Sequence, residues 1–185
     1  MTSATPSVTV NARLVRVLAP RWATLPESGD GAARSGGRFN AKGQPALYLS
    51  FDLVVAANEY AQDLPARPGT FCRYDVSLQP VADLTSDATL ATLGLTRADL
   101  LAPWKDQLSR GARPSTWGIS DRLVALGYVA ALYESALLAN RPPMAPAPGV
   151  NVVIWTWSRT APGQRVVALD PTGELPRNQD SWPPP

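Results

Sequence analysis

Hydrophobic and polar positions alternate through Ala12–Leu18 around Leu14, Arg16 and Leu18, and the valines between them favour an extended chain. Alternation returns in Thr70–Gln79, with Cys72, Tyr74, Val76 and Leu78 on one side and Arg73, Asp75 and Ser77 on the other. That pattern predicts a half-buried strand. Short apolar runs at Pro45–Phe51, Val129–Tyr133, Val150–Trp157 and Arg165–Leu169 predict buried strands. Asp52–Asp63 predicts a helix with Asp52 as N-cap. Leu53, Val54, Ala56, Ala57, Tyr60 and Leu64 share one face of it, and Pro65 and Pro68 end it. Ser86–Leu93 predicts a short helix stopped by Gly94. Thr96-Arg97-Ala98-Asp99 reads as a capping pattern with Asp in the usual Glu position. Pro114–Leu126 predicts a further helix closed by Gly127. Pro26–Gly37 is glycine-rich and predicts a loop, Arg141–Pro148 is a proline-rich connection, and Asp170–Pro185 is irregular.

Strands and helices are interspersed without regular βαβ spacing. The expected fold is therefore α+β, a single domain around a mixed or antiparallel sheet. The expected organisation is a flexible N-terminus over residues 1–11, a domain over 12–170 and a proline-rich tail over 171–185. Met1–Val10 lacks a basic end followed by an apolar core, so no signal peptide is expected. No apolar run approaches the roughly 18 residues of a membrane span. A soluble, cytoplasmic protein is expected.

Composition narrows the chemistry. The chain has 185 residues, 45% hydrophobic and 17% charged, and a net charge of +2. That charge is too small to argue for nucleic acid or a membrane surface. Cys72 is the single cysteine, so no internal disulfide forms. The sequence contains no histidine. Ser-His-Asp and Cys-His catalysis are excluded, as are zinc sites of His and Cys ligands. A general base working near neutral pH must be a carboxylate, or an unusual Lys or Tyr. Gly29-Asp30-Gly31 with Gly36 lacks both the spacing and the flanking strand of a dinucleotide-binding loop.

The stretch richest in chemistry is Gly36-Gly37-Arg38-Phe39-Asn40, followed by Gly43, the strand holding Tyr48, and Glu59 on the next helix. Paired glycines allow a sharp turn and a close ligand approach beside Arg38. Asn40 and Gly43 extend that turn. The Tyr48 ring can stack on a flat heterocycle while its hydroxyl stays hydrogen-bonded. Glu59 lies away from the helix's apolar face, on a polar stripe with Asp52 and Asp63. If that stripe lines a cleft, the carboxylate can stabilise an oxocarbenium-like transition state. Ser135, after the Val129–Tyr133 run, can orient a sugar or an amide. Each of these residues also has an ordinary structural reading: a surface turn, a core ring, a solvated stripe, a strand-end serine.

Together they resemble the RES-domain family, named for an arginine, a glutamate and a serine. Its glycine-arginine loop, strand tyrosine and helix glutamate match Gly36 to Asn40, Gly43, Tyr48 and Glu59, with Phe39 replacing the family's usual tryptophan. Gly127 to Ser135 matches the approach to the family serine, and Arg16 stands where a first-strand arginine recurs. Leu175-Pro176 and Ser181-Trp182 resemble the tail of one branch.

The resemblance implies a core like that of ADP-ribosylating toxins, and a toxin of a bacterial toxin–antitoxin pair that consumes NAD without a metal. It implies that Arg38, Tyr48 and Glu59 are catalytic and that Arg16, Arg38, Asn40, Tyr48 and Ser135 contact NAD. The implied partners are a helix-turn-helix, Xre-like antitoxin covering the cleft and a host protein that accepts ADP-ribose. Hydrolysis or phosphorolysis of NAD is the alternative, and a non-catalytic binding module is a further one. On this reading Arg38→Ala and Glu59→Ala each abolish NAD consumption with the fold intact.

Overall fold

The computed structural model describes residues 6–61, 67–136 and 149–178. Asp63, Leu64 and Pro65, the Arg141–Pro148 connection, and Ser181-Trp182 lie outside the described residues. The alternation read from Ala12 starts earlier: β1 is Val8–Leu18, so the expected loose segment over 1–11 contributes Val8–Asn11 to a strand. A single 3-10 turn (Pro20–Trp22) and helix α1 (Asp30–Ser35) follow. The order continues with β2 (Leu47–Ser50), α2 (Leu53–Ala61), β3 (Thr70–Asp83), α3 (Asp87–Leu93), α4 (Arg97–Leu100), α5 (Trp104–Ser109), α6 (Ser115–Ala125), β4 (Ala130–Glu134), β5 (Val150–Ile154) and β6 (Gln164–Leu169).

The six strands form one mixed sheet in the order β1-β2-β5-β4-β3-β6. A further β1–β3 pairing closes the first five strands on themselves. The β3–β4 pair is parallel and the others are antiparallel. The α+β expectation with a mixed sheet holds. β3 runs past Gln79, where alternation ends, because Pro80 coincides with a register shift in β1 between Val8 and Val10. A proline has no N–H for the ladder and is tolerated at such an irregularity. Beyond it Val81, Ala82 and Asp83 pair with Ala130, Ala131 and Leu132.

The sheet separates two cores. On one face Leu14, Leu47, Leu49, Tyr74, Val76, Leu78, Val152 and Ile154 pack together. On the other Phe39, Leu84, Leu90, Leu93, Leu123, Tyr133, Val153 and Trp155 pack with the helices. Side chains alternate across a strand, so Tyr48 and Ser50 share the second face with Tyr133, Asn151 and Val153. The predicted side of β3, from Cys72 to Leu78, is buried as expected.

Local signals hold at the small helices. Ser86 caps α3, and Gly94 ends it at φ +61. Thr96 and Asp99 form a reciprocal capping box at α4. Two helices escape the sequence pattern. α1 replaces part of the expected Pro26–Gly37 loop: Ser28 Oγ accepts from the Asp30 amide, Ala32 and Ala33 favour a turn of helix, and Gly36 stops it. α5 spans six residues after Pro103, too few for a helical period to register. No helix among the described residues is long and apolar enough to cross a membrane.

Leu14 is fully buried in the first core. Leu14→Ala is expected to lower the unfolding free energy by about 2–5 kcal/mol, measured by urea denaturation. A loss below about 1 kcal/mol would contradict that packing.

Candidate active site

The glycine loop takes its shape from close approach. Gly36 adopts φ +74, and a Cβ there would lie 2.8 Å from the Trp117 ring. A Cβ on Gly37 would lie 2.5 Å from Asn40 Oδ1 and 2.6 Å from the Tyr48 hydroxyl. Only glycine fits at either position. Two tryptophans hold the loop from outside it: Trp117 Nε1 donates to the Gly37 carbonyl at 2.7 Å, and Trp155 Nε1 donates to the Phe39 carbonyl at 2.8 Å.

Asn40 was expected to contact a ligand. It is wholly buried and clasps the loop. Its Nδ2 donates to the carbonyls of Ala32, Ala41 and Gln44 at 2.9, 3.1 and 2.9 Å, and its Oδ1 accepts from the Tyr48 hydroxyl at 2.7 Å. Both N–H groups and the carbonyl are engaged within the protein. Tyr48 Oη also accepts from the Phe39 amide at 3.0 Å. Burial raises the Tyr48 pKa well above its usual value, against the opposing Phe39 hydrogen bond and Arg38 charge. The phenol stays protonated, so Tyr48 offers a ring to the cleft and is no base.

Arg38 leaves this loop as a side chain largely held by main-chain carbonyls. Its Nε donates to the Leu100 carbonyl at 3.0 Å, Nη2 donates to the same oxygen, and Nη1 donates to the Glu134 carbonyl at 3.3 Å. The guanidinium lies 5.0 Å from the Phe39 ring centre and 5.3 Å from that of Tyr133. Burial lowers its pKa, while Tyr133, Glu59 and Tyr48 act in the opposite direction. A guanidinium titrates so high that it stays charged. Removing it strips two carbonyls of their partner, so the expectation that Arg38→Ala leaves the fold intact is replaced by a stability loss of about 1–3 kcal/mol.

Glu59 differs most from its sequence pattern. α2 buries Val55 and Ala56 and leaves Leu53 and Val54 exposed. Glu59 lies three and four residues after that buried pair and so shares its face. It therefore points at the sheet and lines a cleft, although the apolar stripe of the sequence had set the sheet side of the helix elsewhere. Its Oε1 accepts from Ser135 Oγ at 2.6 Å and from Asn151 Nδ2 at 2.9 Å. Asn151 Oδ1 in turn accepts from Ser50 Oγ at 2.6 Å. Strand register assembles this row: Ser50 pairs with Asn151 and Asn151 with Tyr133. Asp52 does cap α2, its Oδ1 accepting from the amides of Val54 and Val55.

Sequence reasoning did not single out Asn151, Ser50 or Tyr133 as site residues. The available signal was a polar Asn151 inside the apolar Val150–Ile154 run. Burial raises the Tyr133 pKa, reinforced by Tyr48 and Glu59 and opposed by Arg38 and an Asn151 hydrogen bond.

Arg38, Tyr48, Glu59, Tyr133 and Asn151 line one cleft of about 710 Å³, with the Leu101–Asp106 segment along it. That volume is within the range of roughly 300–1,000 Å³ usual for small-molecule sites. Arg16 borders the cleft but its guanidinium is directed elsewhere. It shares the β1 face of Leu14 and Leu18, and its Nη1 donates to the carbonyls of Ser28 at 3.3 Å and Pro26 at 3.5 Å. The structure thus joins Arg38, Tyr48, Glu59 and Ser135, turns the Asn40 amide into the loop, and ties Arg16 at the cleft border through Nη1 to main-chain carbonyls. The resulting cleft brings together a carboxylate, oriented by a hydroxyl and an amide, aromatic rings and a half-buried cation.

The RES domain family model matches residues 13–178. A search of curated protein sequences finds no match. Among solved structures, a chain in the crystal structure of the M. tuberculosis MbcT–MbcA toxin–antitoxin complex is similar. It is 24% identical with a TM-score of 0.61, and the match covers 92% of this chain and 91% of that one. At this identity the likeness speaks to the fold.

Gly37→Ala is expected to break the contact of Tyr48 with the Phe39 amide and to displace Arg38, lowering stability by about 2 kcal/mol or more. Gly31, inside α1, would meet nothing within 4 Å on gaining a Cβ. Gly31→Ala is expected to stabilise by up to about 1 kcal/mol. Thermal melts of the two variants compare them directly. Equal behaviour would refute the close-approach account of the loop.

Proposed function

The chain belongs to the RES domain family, and on that premise we propose that it is the NAD-consuming toxin of a bacterial toxin–antitoxin pair. The observation that carries this reading is the Glu59 carboxylate, held by Ser135 and Asn151 in a cleft that also presents Arg38 and the Tyr48 ring. The substrate is NAD. Its nicotinamide is attached to ribose through a cationic nitrogen. When the glycosidic bond breaks, its electron pair passes to that nitrogen and nicotinamide leaves neutral. No acid is needed to protonate the leaving group, which suits a cleft without histidine. Positive charge develops on the ribose carbon, and a nearby carboxylate stabilises it.

In this reading Glu59 faces the ribosyl transition state, and the Ser135 hydroxyl and Asn151 amide fix its orientation. Tyr48 supplies a flat surface for the nicotinamide, with its hydroxyl held by the loop. Arg38 contributes positive charge for the phosphates while holding the carbonyls of Leu100 and Glu134. The acceptor is a host protein side chain, making the enzyme a mono-ADP-ribosyltransferase. Leu101 stands exposed at the cleft, an apolar contact point open to such an acceptor protein. A helix-turn-helix antitoxin covering the same cleft would block both substrates.

Glu59→Gln keeps the shape and the hydrogen-bond acceptor offered to Ser135 and Asn151 while removing the charge. It is expected to lower NAD turnover by about 100-fold or more with little change in melting temperature. Normal turnover by a folded Glu59→Gln protein would remove this mechanism. Incubation with NAD labelled in its adenylate identifies the acceptor: label retained on a host protein is expected. Release of only free ADP-ribose or its phosphate would assign hydrolysis or phosphorolysis instead.

A further inference from the structure

Holding the diphosphate of a dinucleotide calls for several N–H donors, and Arg38 commits much of its fork to main-chain oxygens. Nε and Nη2 share the Leu100 carbonyl, and Nη1 reaches the Glu134 carbonyl. The same cleft is lined by a second set of aromatic and cationic side chains: Tyr60, Arg67, Trp104 and Lys105. The Arg67 guanidinium lies 3.8 Å from the Tyr60 ring centre and donates through Nη2 to the Tyr60 carbonyl at 2.6 Å. Lys105 Nζ lies 5.8 Å from the Trp104 ring centre. Two flat rings, each accompanied by a cation, therefore stand in one cleft with the Glu59 cluster.

We propose that Trp104 and Arg67 form a second subsite, which takes the adenosine-phosphate half of a dinucleotide and makes the cleft select a dinucleotide over a mononucleotide. This deepens the reading of the cleft as an NAD site and rests on it. An indole ring gives an adenine base a stacking surface, and a guanidinium matches phosphate oxygens with forked donors. The wall carrying Trp104 begins at Leu100, the residue whose carbonyl Arg38 holds. Arg38 thereby links the Trp104 wall to the loop that enters the chemical cluster.

Two substrates with the same scissile bond test this. Nicotinamide mononucleotide lacks the adenylate half of NAD. Trp104→Ala is expected to lower kcat/KM for NAD about tenfold or more, through KM, and that for the mononucleotide less than twofold. Arg67→Ala is expected to act in the same direction. Equal losses for both substrates, or no loss for NAD, would overturn the subsite. Adenosine monophosphate binding by calorimetry supplies a readout free of turnover. The parent protein is expected to bind it, with affinity about tenfold lower in folded Trp104→Ala. Binding unchanged by either substitution, or no binding to the parent, would sink the subsite. Adenosine monophosphate bound through Trp104 by a protein that consumes no NAD would uphold the subsite and reject the proposed reaction.

Discussion

The buried amide of Asn40 is the constraint on which the site depends. A turn that passes beneath a sheet and between two tryptophans buries several backbone polar groups, each costly without a partner. Asn40 collects three of the carbonyls on one side chain and passes its own oxygen to Tyr48, whose hydroxyl then accepts from the Phe39 amide. This chain of bonds leaves no volume for a Cβ at Gly37. Arg38 emerges between Gly37 and Phe39, so its direction follows from the clasp. Tyr48 belongs to both sets: its hydroxyl closes the clasp and its ring lines the cleft.

The sheet supplies the other half by register alone. Tyr48 and Ser50 on β2, Asn151 on β5 and Tyr133 on β4 share a face because strand side chains alternate, and the pairings Ser50–Asn151 and Asn151–Tyr133 bring them side by side. Against that row α2 turns its Val55–Ala56 face. Leu53 and Val54 stay exposed, and the helix gains two hydrogen bonds to Glu59. A carboxylate at a sheet–helix junction is tolerable only when its charge is met by donors, and Ser135 and Asn151 meet it.

This explains what the sequence could reveal. Strand alternation was legible because period two survives any context: Cys72, Tyr74, Val76 and Leu78 are all buried. Caps were legible because Ser86, Thr96 and Asp99 act on neighbours a few residues away. The face of α2 was not, because the stripe through Leu53 and Val54 is the more apolar, and the choice depended on donors from β5 and the end of β4. Asn40 and Arg16 were placed with the ligand through the family resemblance; the carbonyls that Asn40 Nδ2 and Arg16 Nη1 meet are brought near only by tertiary structure. Asn151 stayed hidden because its role exists only beside Glu59, 92 residues away in the chain.

Arg38 makes the two halves one site. Its guanidinium bonds a carbonyl at the end of α4 and another at the end of β4, while its ring neighbours Phe39 and Tyr133 belong to the loop and the sheet. A lysine could not replace it, since a single ammonium lacks the planar fork that reaches both oxygens at once. Carbonyl dipoles stabilise this half-buried cation without cancelling its charge. Its field therefore extends into the cleft that Glu59 shares, and the same contacts that order the Leu101–Asp106 wall present a positive charge to any anionic substrate lying along it.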